Sequence, residues 1–159
     1  MEVTKGKFLD VDIKNVVGMI ERSGIEVIAN YLFGLPGDTF STMQRTLDLS
    51  LELCTIAWNG YAAMALPGSG LYRNARKKGY QLPDNYSGYS FYAYDTLPLP
   101  TEELSPSDIL EFRDQAFMSY HTHPLFLEKI RQRFGPVAVE NIEKLTPVKL
   151  RRRLLGHSK

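Results

Sequence analysis

Two glycine- and proline-containing loops are the parts of this sequence best suited to hold a ligand. The first, GLPGDT from Gly34 to Thr39, follows the apolar run IEVIANYLF, and the second, PGSG from Pro67 to Gly70, follows another apolar run over about 56–66. Glycine lets the backbone approach a flat ligand closely, and ligands gather at the carboxyl ends of parallel strands. The pattern predicts a site built from backbone at two neighbouring strand ends.

Two asparagines lie inside these apolar runs, where a polar side chain needs a partner. Asn30 belongs to the first run and Asn59 to the second. A buried amide without a hydrogen bond costs free energy, so each side chain is expected to be paired. A bound nucleoside and the side chain of a neighbouring strand would both satisfy this need, and the sequence leaves the two alternatives open.

The other residues that could carry chemistry have simpler structural explanations. Asp38 is expected to cap a helix rather than act as a general base, and Glu26 to lie at the far end of its strand. His121 and His123 have i,i+2 spacing at a helix end, where a histidine cation is favourable without any metal. Cys54 is the single cysteine, and it falls in an apolar helical stripe, which predicts core packing.

Hydrophobic periodicity predicts the elements that position the loops. The order is a helix over 12–23, a strand over 25–33, a helix from 40 to about 54, a strand over 56–66 and a basic helix over 71–78. This alternation is typical of parallel βα units joined by right-handed crossovers. The near-continuous apolar character of the first run predicts a strand buried on both faces.

The second half of the chain has a different composition. Residues 80–104 form a tyrosine- and proline-rich connection, expected either to pack as an outer loop or to offer a recognition surface. Ser105 and Pro106 predict the start of a helix, and shorter helices are expected after it. The triplet Arg151–Arg153 is expected to form a solvated basic face. The tyrosines of the connection are Tyr80, Tyr86, Tyr89, Tyr92 and Tyr94.

Size and composition restrict the class of protein. The chain has 159 residues, a formal net charge of +1 and one cysteine. A near-neutral charge gives no electrostatic sign of nucleic-acid binding. One cysteine excludes an internal disulfide and fits a reducing compartment, and no apolar run approaches the roughly 18 residues of a membrane span. We expect a cytoplasmic protein with neither nucleic acid nor membrane as a partner.

Several segments, in order, resemble the C-terminal half of radical S-adenosylmethionine (radical SAM) proteins of the branch that often carries a cobalamin-binding domain. Lys5-Gly6 resembles the turn after the fourth strand of that family's barrel. The segments ANYLFGLPGDT and AAMALPGSGLY resemble the fifth and sixth strands with their loops. LPTEELS and ILEFRDQAF resemble the helical tail that follows, so the resemblance covers nearly the whole chain.

The resemblance implies an α/β fold. It consists of a partial TIM-like (β/α) barrel over residues 1–79, made of the last two βα units of a radical SAM barrel. A connection over 80–104 and a helical C-terminal tail over 105–159 follow. The resemblance also implies a site for S-adenosylmethionine at the strand ends. The residues it assigns to that site are Asn30, Leu32, Gly34, Gly37, Leu66, Pro67 and Gly68.

The implied function is that of the C-terminal part of a radical SAM enzyme, which contributes to binding S-adenosylmethionine and acts on an unknown small molecule. An alternative is a non-catalytic binding or assembly module derived from such a barrel. The family's CxxxCxxC motif is absent, and Cys54 alone cannot supply the thiolates of a [4Fe-4S] cluster. The resemblance therefore assigns the cluster, radical chemistry and any cobalamin to a missing N-terminal part.

An unpaired edge of the predicted sheet indicates that the chain pairs with another polypeptide segment. Two parallel strands that are apolar on both faces cannot close a barrel and leave an edge unpaired. We expect the chain either to pair with the missing N-terminal half or to self-associate through the open sheet edge.

Overall fold

A computed structural model describes residues 10–158 of the chain, so Lys5-Gly6 lies outside the described residues. Within this range there are six α-helices and two β-strands. The longest helix has 16 residues, and none in this range is long and apolar enough to cross a membrane. The elements are α1 (Ile13–Arg22), β1 (Ile28–Phe33), α2 (Phe40–Leu53), β2 (Ala57–Ala62), α3 (Gly70–Lys77), α4 (Pro106–His121), α5 (Pro124–Phe134) and α6 (Pro136–Leu145), with 3-10 turns at Tyr86–Tyr89 and Arg153–Leu155.

The starts of two helices follow directly from local sequence. Thr39 caps α2, since its hydroxyl accepts a hydrogen bond from the backbone N–H of Thr42 at 3.3 Å and its own N–H donates to the Thr42 hydroxyl at 2.9 Å. Ser105 and Asp108 form the same reciprocal pair at the start of α4, and Pro106 occupies the first turn. The predicted helix start at Ser105-Pro106 is confirmed.

The two strands form a parallel sheet in which α2 connects β1 to β2. Alternate side chains of a strand point to opposite faces, and paired residues share a face. Tyr31, Phe33 and Trp58 are buried on one face, whereas Ile28 and Leu32 on the other are 61% and 50% exposed. We call the second surface the open face; it consists of Ile28, Asn30, Leu32, Ala57, Asn59 and Tyr61.

The predicted fold class is wrong. The described chain is mostly helical with a two-stranded sheet, not the last two βα units of a TIM-like barrel. Neither strand is buried on both faces within residues 10–158, because α2 and α4 pack on one side of the sheet and Ile28, Leu32 and Asn59 on the other side are exposed. Helix α4 was assigned to a separate tail, yet its Ile109 and Tyr120 join the same core as Phe33 and Trp58. The apolar run over 25–33 could not show that one face of β1 is open, because Ile28 is apolar and yet exposed.

Trp58 lies at the centre of the packed face. Its ring centroid is 5.6 Å from that of Tyr120 and 6.0 Å from that of Tyr31, and His121 meets it edge-on at 5.8 Å. A Cβ atom at Gly60 would lie 2.1 Å from the indole ring, so the indole occupies the space that a side chain there would need. Aromatic packing around Trp58 therefore helps to hold the sheet against α4.

Arg152 ties the end of the chain to the rest of the molecule. It is completely buried, and its Nε and Nη2 each donate to the Asp114 carboxylate at 3.0 Å. Its Nη1 donates to the backbone carbonyls of Phe91 and Ala93. The prediction of a solvated basic face is wrong for this residue, because α4 and the tyrosine-rich segment supply its acceptors. The other two arginines of the triplet are exposed.

Candidate functional site

The two asparagines lie side by side at the centre of the open face. Asn30 and Asn59 occupy paired positions on β1 and β2. The Nδ2 of Asn59 donates to the Oδ1 of Asn30 at 3.1 Å, and the Tyr61 hydroxyl donates to the same oxygen at 3.4 Å. Both asparagines are exposed rather than buried. The neighbouring strand therefore satisfies part of their hydrogen-bonding capacity and leaves the rest facing outward.

The asparagine pair keeps unused hydrogen-bonding capacity. An amide carries two N–H donors on nitrogen and an acceptor oxygen with two lone pairs. Within residues 10–158, neither the Nδ2 of Asn30 nor the Oδ1 of Asn59 forms a hydrogen bond. The open face thus offers free N–H donors and a free acceptor oxygen on adjacent residues.

Aromatic side chains border the asparagine pair. Tyr61 was not selected from the sequence, although it lies two residues after Asn59 and so must share its face. The Tyr61 ring meets the ring of Phe91 edge-on, with centroids 5.1 Å apart. Phe91 in turn packs against Tyr92 at 4.2 Å, and Tyr92 is exposed. The tyrosine-rich segment therefore extends the open face with aromatic surface.

The loop after β1 is shaped mainly by packing and turn formation. Gly34 and Gly37 have φ angles of 77° and 86°. A Cβ at Gly34 would lie 2.6 Å from Ile109, so this glycine lets the loop pack against α4. Asp38 accepts hydrogen bonds from the backbone N–H of Leu35 at 3.0 Å and the Thr42 hydroxyl at 2.6 Å, which makes it part of the loop's framework.

Glu102 connects the loop after β1 to the end of α3. Its carboxylate accepts hydrogen bonds from the Gly37 N–H at 3.0 Å and the Lys78 ammonium at 3.3 Å. A hydrogen bond from its own backbone, together with those from Gly37 and Lys78, holds the pKa of Glu102 below its usual value. The backbone donor of Gly37, assigned to a ligand by resemblance, is thus already used.

The cleft beside Glu102 is too small to be a nucleoside site. It has a volume of about 80 Å³ and lies between Pro36, Leu71, Tyr80 and Leu99. Small-molecule sites are typically about 300–1,000 Å³ in volume.

The loop after β2 is open to solvent. Leu66, Pro67 and Gly68 are exposed, and Gly68 has a φ of 85° with no atom within 4 Å of the position a Cβ would take. Ser69 caps α3 by accepting a hydrogen bond from the Tyr72 N–H at 3.0 Å. Because β1 and β2 are parallel, this loop and the loop that begins at Gly34 both follow the carboxyl ends of the strands, on the same side of the sheet.

The residues of the described chain do not fit an iron–sulfur cluster. No group of three or more His, Cys, Asp or Glu side chains in residues 10–158 could hold a metal ion. Cys54 is the C-cap of α2 with a φ of 43°, and partial burial raises the pKa of its thiol. His121 packs among aromatic rings, with its Nδ1 2.8 Å from the Phe117 carbonyl.

Sequence and structure comparisons add no further assignment. Comparison with family models, curated proteins and solved structures found no match to this chain. The candidate site therefore stands on its own geometry. Two of the seven residues assigned by resemblance, Asn30 and Leu32, lie on the open face. The other five belong to the loops that follow β1 and β2.

Proposed function

We propose that this chain contributes to binding S-adenosylmethionine in a radical SAM protein, and that the open face contacts the adenosyl group. The observation that carries the proposal is the Asn30–Asn59 pair, which leaves a donor and an acceptor free beside aromatic rings. Nucleobases present matching donor and acceptor edges, and their flat faces stack on aromatic side chains. The ordered resemblance of the two strand–loop segments supports the same ligand.

The proposal limits what this chain does chemically. S-adenosylmethionine supplies a sulfonium that a reduced iron–sulfur cluster can cleave, but the described residues do not fit such a cluster. We assign to this chain the holding and orienting of the nucleoside. The cluster, the substrate site and any cobalamin are assigned to another part of the intact protein.

Calorimetric titration of the 159-residue chain with S-adenosylmethionine tests the proposal. Saturable binding is expected, and Tyr61→Ala is expected to weaken it about tenfold because the aromatic border loses a ring. Tyr86→Ala is the matched control, since Tyr86 is 85% exposed and lies outside the open face. Absence of binding to the wild-type chain, or equal effects of the two substitutions, would count against the open face as the site.

Assembly is the second candidate function, and the exposed apolar residues of β1 favour it. Ile28 and Leu32 lie on the open face, and one edge of β1 has no strand beside it in the described chain. Such an edge is a template for pairing with another chain. We propose a second copy as the partner.

Sedimentation equilibrium over increasing concentration tests this assembly. We expect the mass to approach that of a dimer for the wild-type chain and to stay at the monomer value for Ile28→Lys. Leu125→Lys changes an equally exposed residue of α5 and should leave the dimer intact. A wild-type chain that remains monomeric at high concentration would contradict the proposal.

A further inference from the structure

We infer that helix α3 and the 3-10 turn that follows it form a binding surface for single-stranded nucleic acid. This surface lies outside the open face, and it does not depend on the proposed function. We call it the basic–aromatic surface; its cations are Arg73, Arg76 and Lys77, and its rings are those of Tyr72, Tyr86 and Tyr89.

Helix α3 concentrates positive charge in a chain whose formal net charge is only +1. The helix and its C-cap residue, Lys78, contain four basic residues and no acidic one. Arg73, Arg76 and Lys77 have i, i+3 and i+4 spacing, so they share the side of the helix that faces away from the buried Ala75. A basic stripe along one helix is an electrostatic sign of nucleic-acid binding, and the near-neutral total conceals it.

The three cations of the surface are accessible to an anion. All three are exposed, and none forms an ion pair with another of residues 10–158. Lys78, in contrast, lies 3.3 Å from the carboxylate of Glu102. Arg73 donates one hydrogen bond to the Gly68 carbonyl at 2.9 Å, which leaves most of its guanidinium N–H groups free.

Three tyrosines lie beside these cations. Tyr72 precedes Arg76 by four residues on α3, so their side chains are neighbours on the helix surface. Desolvation, together with the nearby hydroxyls of Tyr72 and Tyr86, raises the pKa of Tyr89, since the three phenols lie close to one another. Tyr86 is 85% exposed, so its ring is open for a base to stack on.

The turn Tyr86–Tyr89 is fastened to the rest of the tyrosine-rich segment. The Gly88 carbonyl accepts a hydrogen bond from the backbone N–H of Leu97 at 3.0 Å. The Ser87 hydroxyl donates to the Asp95 carboxylate at 2.8 Å. Rings carried by a preorganised turn lose less entropy when a base stacks on them.

Positive charge beside exposed rings favours single-stranded nucleic acid over other polyanions. The cations attract phosphates, and unpaired bases stack on aromatic side chains. The bases of a duplex are already stacked on one another and offer no free face to the tyrosines. An acidic peptide would use the cations alone.

Fluorescence anisotropy with a labelled oligouridylate of about ten nucleotides tests the cations. We expect saturable binding that weakens about 20-fold between about 50 mM and 200 mM salt, because three phosphates are neutralised on a single strand. Replacing Arg73, Arg76 and Lys77 together with glutamine should remove most of the affinity and nearly all of this salt dependence.

A second triple substitution is the matched control for charge. Arg22, Arg45 and Lys144 are exposed, form no ion pair among residues 10–158, and lie on α1, α2 and α6. Their replacement with glutamine changes the net charge by the same amount. It should leave the affinity and the salt dependence nearly unchanged, because exposed charges away from the site are screened.

Tyr86→Ala tests the rings separately from the cations. This substitution should weaken binding of the oligouridylate at least fivefold and leave its salt dependence in place. Binding of an oligonucleotide of the same length with abasic sugars should not change, because it has no base to stack. Tyr92→Ala removes a ring that is 64% exposed but lies outside the basic–aromatic surface, and it should have no effect.

The outcomes decide between a nucleic-acid surface and a general anion surface. Loss of affinity in the α3 triple variant but not in its control, together with a base-dependent effect of Tyr86→Ala, supports the inference. Failure of the wild-type chain to bind the oligouridylate, or equal losses in the two triple variants, would overturn it. Equal competition by a polyglutamate of the same charge would also overturn it, since the cations alone would then explain the binding.

None of these results depends on S-adenosylmethionine, so the proposed function stands or fails separately.

Discussion

Replacing Trp58 with alanine is expected to lower the free energy of unfolding by about 3–5 kcal/mol. The indole is 4% exposed and is packed among rings from β1 and α4. Its removal would leave a cavity between the sheet and α4, which the fixed backbone of both elements cannot fill. Urea unfolding followed by circular dichroism measures the change.

Two comparison variants define the cause of this loss. Trp58→Phe should lose much less stability, because the indole Nε1 has no hydrogen-bond partner among residues 10–158 and only packing area is removed. Tyr61→Ala lies on the same strand but on the open face, so it should cost less than about 1 kcal/mol. Equal losses for Trp58→Ala and Tyr61→Ala would contradict the assignment of packed and open faces.

Replacing Arg152 with alanine is expected to cost about 3 kcal/mol. The guanidinium is fully buried, makes two hydrogen bonds to Asp114, and also satisfies the carbonyls of Phe91 and Ala93. Its removal would leave the Phe91 and Ala93 carbonyls without this donor and Asp114 with only the Arg113 guanidinium, which donates to it at 2.9 Å. Loss of one member of a buried ion-pair network is destabilising by several kcal/mol. The tyrosine-rich segment should also become accessible to limited proteolysis.

The neighbouring arginine provides the control for this prediction. Arg151→Ala changes an exposed residue and should shift stability by no more than about 0.5 kcal/mol. Arg152→Lys retains the charge but loses the two-pronged geometry, so an intermediate loss is expected. If Arg151→Ala and Arg152→Ala unfold at the same urea concentration, the buried network does not hold the tail.

Local chemistry made part of the fold predictable. The start of α4 at Ser105-Pro106 and the end of α1 before Gly24 are encoded within a few residues, because caps and turns depend on immediate neighbours. The predicted helix from 40 to about 54 is likewise observed as α2, whose buried residues include Met43 and Leu47. Features of this kind need no knowledge of the rest of the chain.

The errors concern residues whose partners are distant in sequence. The basic triplet that contains Arg152 is predicted to be solvated, but Arg152 is buried. Its carbonyl acceptors, Phe91 and Ala93, lie 61 and 59 residues earlier in the chain. Gly34 is assigned to a ligand by resemblance, and that assignment stays a prediction, but its close packing against Ile109 on α4 could not be foreseen from the sequence. Only tertiary contacts could reveal either role.

The candidate site was predicted in part. The sequence identified Asn30 and Asn59 as polar groups within apolar strands and left open whether a strand or a ligand satisfies them. The structure shows the neighbouring-strand alternative, because the Nδ2 of Asn59 donates to the Oδ1 of Asn30, and a contact with a nucleoside stays a prediction. Tyr61 could have been included, because a two-residue spacing from Asn59 fixes its face.

The most direct test of the central claim is a nitrogen–proton correlation spectrum of the labelled chain during titration with adenosine. The side-chain amide signals of Asn30 and Asn59 should shift saturably if the open face contacts the base. The single tryptophan gives one indole signal, and it should stay in place because Trp58 lies on the packed face. Unchanged asparagine signals at saturating adenosine, or shifts confined to other residues, would contradict the account.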